Sequence, residues 1–148
     1  MHSRIEPDTY FTVSALLAII SYFVLPVKKI IYSPYSFSGI ALIIAGLVLV
    51  SRTNRLLIKN KTALKTFENP EVLVTSGPFG FSRNPIYLGM VIILFGIVII
   101  PGTLFPFSFP LLFFFIIDRA VIPFEEKNLE KSFGQQYNEY KKRVRRWL

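Results

Sequence analysis

Arg83, Asn84 and Tyr87 stand at the start of one apolar stretch, and Glu125 and Glu126 stand just after the end of the next. A guanidinium, an amide, a phenol and two carboxylates suit the holding of a polar small molecule. Arg83 matches a carboxylate, and Glu125 and Glu126 can accept charge-assisted hydrogen bonds from ammonium or hydroxyl groups. The two stretches, residues 86–100 and 104–122, are joined only by Pro101-Gly102-Thr103. So short a turn makes them antiparallel neighbours, which returns Glu125 and Glu126 to the end where Arg83 and Tyr87 begin.

Each of these residues also has a plain structural role. Asn84 followed by Pro85 is what a helix start prefers, a capping residue and then proline at the first position. Glu125 and Glu126 follow Pro123 and so favour the positive end of a helix. Arg83 at a membrane boundary serves as a topology anchor. Asp118 and Arg119 lie inside an apolar stretch, where charge is costly and tends to face a cavity or to pair.

The elements that must position these groups are helices in a membrane. The chain has 148 residues, 52% hydrophobic and 16% aromatic, with a mean hydropathy of +0.48, too apolar for an ordinary soluble domain. Residues 10–27, 37–50, 86–100 and 104–122 are apolar enough for membrane helices. A span needs about 20 apolar residues, so the second and third must borrow flanking residues or sit where the bilayer thins. No cleavable leader is expected, because Glu6 and Asp8 precede the first run and no small-x-small site follows it. The expected fold is a single all-α, polytopic unit over residues 1–148, with about four transmembrane helices and a C-terminal amphipathic or cytoplasmic helix.

Charge placement orients that fold. Arg52, Arg55, Lys59, Lys61, Lys65 and Arg83 fall between the second and third helices. Lys127, Lys131, Lys141, Lys142, Arg143, Arg145 and Arg146 follow the fourth, while Lys28 and Lys29 lie on the opposite side. Positive-inside bias then puts both termini in the cytoplasm. The net charge of +8 reads as this topology signal and as attraction to membrane lipid headgroups, not as a nucleic-acid surface. With no cysteine and a lone histidine, His2, in the N-terminal tail, thiolate nucleophiles, metal clusters and Ser-His-Asp catalysis are excluded. Nucleotide-binding glycine loops of the Walker or dinucleotide type are missing too.

Between the second and third helices the chain reads as a loop from Lys59 to Ser82, with Asn69-Pro70 and Gly77-Pro78 turns and a short extended piece from Glu71 to Thr75. A short helix reaches Phe133 and stops at Gly134. From Gln135 a last helix places Tyr137, Tyr140, Val144, Trp147 and Leu148 on one face. It lies either on the membrane surface or as a cap on the bundle. The aromatic run from Phe105 to Phe115 reads as lipid-facing or core packing.

The run Leu73-Val74-Thr75-Ser76-Gly77-Pro78-Phe79-Gly80-Phe81-Ser82-Arg83-Asn84-Pro85-Ile86-Tyr87-Leu88-Gly89 resembles the cofactor region of the isoprenylcysteine carboxyl methyltransferases. Glu125-Glu126, followed by Phe133-Gly134-Gln135-Gln136-Tyr137-Asn138-Glu139-Tyr140-Lys141-Lys142-Arg143-Val144, resembles that family's C-terminal block. Both blocks are similar to those of the phospholipid methyltransferases of the same superfamily, and they cover residues 73–148.

The resemblance implies an integral membrane enzyme that binds S-adenosylmethionine at the cytoplasmic face and methylates a lipophilic or amphiphilic acceptor. It implies a cofactor pocket at Leu73, Thr75, Gly77, Phe81, Asn84, Pro85, Tyr87, Glu125 and Glu126, with Arg83 and Tyr87 as catalytic residues. Gly77, Gly80 and Gly89 would let backbone approach a flat ligand. The carboxyl methyltransferases place histidine where this chain has Asn84, and asparagine does not titrate. An amine acceptor would then give its proton to Glu125, Glu126, Asp118, Tyr87 or solvent. Phospholipid N-methylation and small-thiol S-methylation are the alternative reactions. A nicotinamide-dependent membrane reductase has too few basic groups near the pocket to grip several phosphates. A non-enzymatic membrane interaction protein would use the hairpin for packing alone.

Overall fold

A computed structural model describes residues 6–25, 28–62 and 72–148. His2, Lys65, Glu71 and the Asn69-Pro70 turn lie outside the described residues, as does the end of the first expected span at residues 26–27. The elements are α1 (Pro7–Val24), α2 (Ser38–Lys59), α3 (Pro85–Ile99), α4 (Ser108–Ile116), α5 (Ile122–Phe133) and α6 (Gln135–Arg143). A π turn, Ile117–Val121, joins α4 to α5 without a break. Among the described residues there is no strand, only an isolated bridge between Lys29 and Thr103. Val72 to Thr75 therefore pairs with no strand.

Three helical stretches, Pro7–Val24, Tyr35–Lys59 and Phe105–Phe133, are long and apolar enough to cross a membrane, and Pro85–Ile99 is a shorter apolar helix. The first two carry their apolar side chains outward. In α1 the buried face is Ser14, Ala18 and Ser21, while Leu16, Leu17, Ile20 and Phe23 are exposed. In α2 the buried face is Gly39, Gly46 and Thr53, while Ile40, Ile44 and Leu47 are exposed. Small residues inside and large apolar ones outside are what lipid as solvent selects.

The central helix is α3, apolar on every side and buried on most of its length. Its tightest partner is α2, against which it runs antiparallel. A Cβ on Gly46 would lie 2.7 Å from the Gly89 carbonyl oxygen, and one on Gly39 would lie 2.5 Å from that of Gly96. The two glycine pairs, two turns apart, set the closest approach of the helices. On its other side α3 supplies Tyr87, Met90, Val91 and Leu94 to a core completed by Phe113, Ile117, Val121 and Ile122. Phe11 of α1 meets Phe113 edge-on, with ring centres 6.1 Å apart. Of the aromatic run, Phe113 is buried, whereas Phe105 and Phe115 are exposed.

At one end of the bundle the α1–α2 connection joins the α3–α4 turn. Ile30 and Ile31 donate to the Gly102 carbonyl at 2.7 and 3.0 Å, and Leu104 donates to that of Lys28 at 3.2 Å. Gly102 has φ +66, and a Cβ there would collide with the Ile31 carbonyl, so the short turn depends on glycine. Among the described residues, the starts of α1 and α3 and the end of α2 meet at the opposite end, which holds the cavity.

The second helix is longer than hydropathy suggested. It passes Val50 and ends at Lys59, because Ser51 to Ile58 are polar or apolar helix-compatible residues with no glycine or proline. Lys61 turns left-handed at φ 50, and the Thr62 amide donates to the Leu57 carbonyl at 3.2 Å, closing the helix as a C-terminal cap. About nine residues, roughly 13 Å at 1.5 Å per residue, therefore overhang the start of α3.

The last helix is shorter than expected. It stops at Arg143, and Val144 is extended with φ −122 and ψ 131. Tyr137 and Tyr140 share a face, as the spacing implied, and both are buried. Lys141 pairs with Glu130 of α5. This helix is a cap on the bundle.

Candidate active site

The approach to α3 is shaped by a 3₁₀ turn, Gly77–Gly80, entered through Gly77 at φ +60. Buried Ser82 accepts a hydrogen bond from the Asn84 amide at 3.2 Å. Asn84 occupies the capping position and Pro85 the first helical one, but the Asn84 side chain does not cap the helix. Its Nδ2 donates instead to the Arg146 carbonyl at 2.9 Å. The helix start was legible, whereas the use of its amide depended on a segment 62 residues later.

On the facing helix the π turn precedes Pro123. Proline cannot donate to the carbonyl four residues back and its ring crowds it, so the chain is wound wider before α5 resumes. The turn presents Asp118 to the C-terminal tail. Asp118 accepts from the Trp147 indole at 2.9 Å and from Arg146 at 3.3 Å. Its neighbour Arg119 pairs with it at 3.3 Å and is 80% exposed. Of the two outcomes open for these charges, pairing is the one found.

The antiparallel hairpin brings its bracketing groups together. The Tyr87 hydroxyl donates to Glu125 at 2.7 Å, and Arg83 pairs with Glu126 at 2.9 Å. Glu126 also receives Arg146 at 2.7 Å. Neighbours on a helix point about 100° apart, so Glu125 and Glu126 cannot share a direction. Glu125 faces a cavity of about 220 Å³, and Glu126, 9% exposed, stands behind Arg83.

Leu73, Arg83, Asn84, Pro85, Tyr87 and Glu125 line this cavity, whereas Thr75, Gly77, Phe81 and Glu126 are off its wall. The 3₁₀ turn aims Phe79 inward and leaves Phe81 48% exposed. Gly77 contributes the bend. Gly89 meets α2, where an added Cβ would lie 2.6 Å from Val50, so it serves helix packing and not the approach of a flat ligand. Arg83 Nε is buried and has no hydrogen-bond partner among the described residues.

Sequence reasoning missed a second group of lining residues: Glu6 and Asp8 at the start of α1, Leu57 and Thr62 at the end of α2, and Phe79, Asn128, Tyr137 and Tyr140. Asn128 had a signal, since it lies three residues after Glu125 and shares its face. The others arrive through tertiary packing. The Thr62 hydroxyl, for example, donates to the Val72 carbonyl at 3.1 Å and draws Val72 to Val74 onto the wall.

Two of these groups are phenols kept neutral. Burial pushes the Tyr140 hydroxyl up to about 12, opposed by the Arg83 guanidinium. Burial, with Glu126 beside it, pushes Tyr137 higher still. Both are donors at physiological pH and not bases. Tyr140 donates to the Phe79 carbonyl at 2.7 Å, which ties the cap to the 3₁₀ turn. Because the folded value lies above the unfolded one, this contribution is constant below about pH 10 and is lost as pH rises through about 12. Alkaline titration followed by phenolate absorbance should show the cap loosening in that window, and Tyr140→Phe should remove about 1 kcal/mol of stability.

Fold and site together define a small helical membrane protein with a cavity at one end of its bundle, lined by apolar side chains and a few charged ones. Over residues 34–136 the chain matches the family model described as phospholipid methyltransferase, and it belongs to that family. It is also similar to an uncharacterized protein of Haemophilus influenzae, 36% identical over 62 residues that make up 42% of this chain and 98% of that protein. No solved structure matches the chain. Family membership gives methyltransferase activity and, with the long apolar helices, a membrane location.

Proposed function

We propose that the chain binds S-adenosylmethionine in the cavity beneath its cap and methylates a lipophilic or amphiphilic acceptor that enters from the bilayer. One observation carries this reading: Arg83, Tyr87 and Glu125 converge on one wall, with Arg83 Nε buried and lacking a partner among the described residues. That donor suits a carboxylate, and Glu125 suits an ammonium or a ribose hydroxyl, so the lining fits both polar ends of the cofactor. When bound, S-adenosylmethionine supplies an electrophilic methyl on a sulfonium sulfur that departs as a neutral thioether.

The chain's own residues orient and dehydrate. The Tyr87 hydroxyl, donating to Glu125 at 2.7 Å, fixes the direction of the carboxylate. Leu73, Val74, Phe79 and Met90 exclude water from the same space. Orientation and dehydration are what an in-line displacement needs most. Asn84 positions the start of α3 through the tail carbonyl. The basic residues beside the site, against Lys28 and Lys29 at the far end, support a cytoplasmic site with both termini on that side.

Three carboxylates, Glu6, Asp8 and Glu125, line the cavity against one arginine. This balance favours the second reading, an amine acceptor on a phospholipid, over a carboxylate acceptor. Glu125 or solvent would take the proton the amine releases. Membranes containing the protein, given methyl-labelled S-adenosylmethionine, should label an aminophospholipid. The pair Glu6→Gln and Asp8→Asn should raise KM for that lipid about tenfold, with kcat little changed. Label appearing only in a prenylated or fatty carboxylate would reverse the preference.

A further inference from the structure

The family match ends at Gln136, yet the last five residues enclose the polar groups behind the cavity wall. After α6 stops at Arg143, the chain runs across the start of α3. The Arg83 amide donates to the Arg145 carbonyl at 3.0 Å, and Asn84 Nδ2 and Ser82 Oγ donate to that of Arg146 at 2.9 and 3.4 Å. Trp147 lies against Phe114, with ring centres 4.7 Å apart, and its indole is held by Asp118. Three successive residues of the approach to α3 are thus joined to two of the tail, and the next tail residue, Trp147, is held by the facing helix.

Arg146 stands at the crossing. Its guanidinium contacts Glu126 at 2.7 Å and Asp118 at 3.3 Å, and Glu126 in turn holds Arg83 at 2.9 Å. The order Asp118, Arg146, Glu126, Arg83 alternates in sign and ends on the cavity wall. Arg146 already forks onto Glu126, with Nη2 on Oε2 at 2.7 Å and Nε donating to Oε1 at 3.4 Å, so Arg83 meets only a shared Oε1. Without Arg146, Glu126 would offer both oxygens to Arg83, which binds carboxylates in a two-pronged fork. That fork would draw the guanidinium away from the cavity.

We infer that Arg146 is a positioning residue for the ligand site: by forking onto both oxygens of Glu126, it denies Arg83 a two-pronged pair and leaves the Arg83 guanidinium on the cavity wall. The inference rests on the proposed reading of the cavity as the cofactor site. It makes the C-terminal strap part of the binding machinery, although the strap itself touches no ligand.

Removing Arg146 alone would leave Asp118 only the exposed Arg119 as a cationic partner, so the informative variant is the pair Arg146→Gln and Asp118→Asn. Asparagine at position 118 still accepts from Trp147, the only tryptophan of the chain, whose emission reports the docked strap. Affinity for S-adenosylmethionine is measured on purified full-length protein in detergent. The Arg83 Nε–H signal is followed by nitrogen NMR and assigned with Arg83→Lys. The expected result is a docked strap, a melting temperature near wild type, affinity at least tenfold weaker and a shifted Arg83 signal. Wild-type affinity in this folded variant would overturn the inference, since a strap that only stabilises does not alter binding by folded molecules.

Should the double variant fail to fold, Arg146→Lys keeps the charge balance but reaches fewer oxygens. It should weaken binding at least threefold and move the same signal, and no change in either would be equally fatal. If the wild type itself does not bind S-adenosylmethionine, the reading of the cavity falls, and the Arg83 signal alone decides the strap. A shift between wild type and variant upholds positioning, and an unmoved signal refutes it.

Discussion

Glu125→Gln is expected to weaken S-adenosylmethionine binding by roughly 10- to 100-fold while the protein stays folded. A hydrogen bond to a charged group is worth about 1.5–3 kcal/mol, and 1.4 kcal/mol is tenfold in affinity. Glutamine keeps the shape and the oxygen that accepts from Tyr87, whose bond to Glu125 measures 2.7 Å. What it loses is the charge facing the cavity. Glu126→Gln should behave differently. Glu126 lies behind Arg83 and between two arginines, so its loss should lower stability as well as affinity. Calorimetric titration and thermal unfolding of both variants separate the two carboxylates. Equal behaviour in both measurements would contradict the division of roles.

Gly46→Leu should yield no folded protein, and Gly46→Ala should lower stability by about 2 kcal/mol or more. The added Cβ would stand 2.7 Å from the Gly89 carbonyl oxygen and 2.6 Å from Ile93 Cγ1. A side chain can swing aside, but a backbone carbonyl moves only if the helices separate. Overpacking of this kind typically costs about 1–3 kcal/mol. Here the cost falls on the helix pair that carries both the start of α3 and the cavity wall at Leu57. Gly89→Ala should act in the same way, with its Cβ 2.6 Å from Val50. Unfolding followed by Trp147 emission tests both, and wild-type melting in either alanine variant would remove the glycine seam from the account.

The helices were legible because a bilayer demands long apolar runs, and four such runs were present. Their ends were less so. Hydropathy marks the depth of lipid, whereas the hydrogen-bond ladder of α2 runs on through Arg52, Thr53 and Arg55 to Lys59. The convergence of Arg83 and Tyr87 with Glu125 and Glu126 was legible for a topological reason. So short a connection, from Ile99 to the 3₁₀ turn at Phe105, makes the flanking helices antiparallel neighbours.

The rest of the wall was not legible, because Glu6, Asp8, Tyr137 and Tyr140 reach it from sequence positions that no local pattern connects. Adjacent candidates were also hard to separate by residue type. Glu125 and Glu126 differ by a helical rotation, and Phe79 and Phe81 by the path of a 3₁₀ turn. Glycine was ambiguous in the same way: Gly77 bends the chain, while Gly89 admits a neighbouring helix.

The central claim is that the cavity walled by Arg83, Tyr87 and Glu125 receives S-adenosylmethionine. Its most direct test is a calorimetric titration of the purified wild-type chain in detergent, repeated with Arg83→Ala. Saturable one-to-one binding by the wild type, weakened at least tenfold by the substitution, is the predicted result. A folded wild-type protein that releases or absorbs no heat and retains no labelled cofactor at millimolar concentration would contradict it.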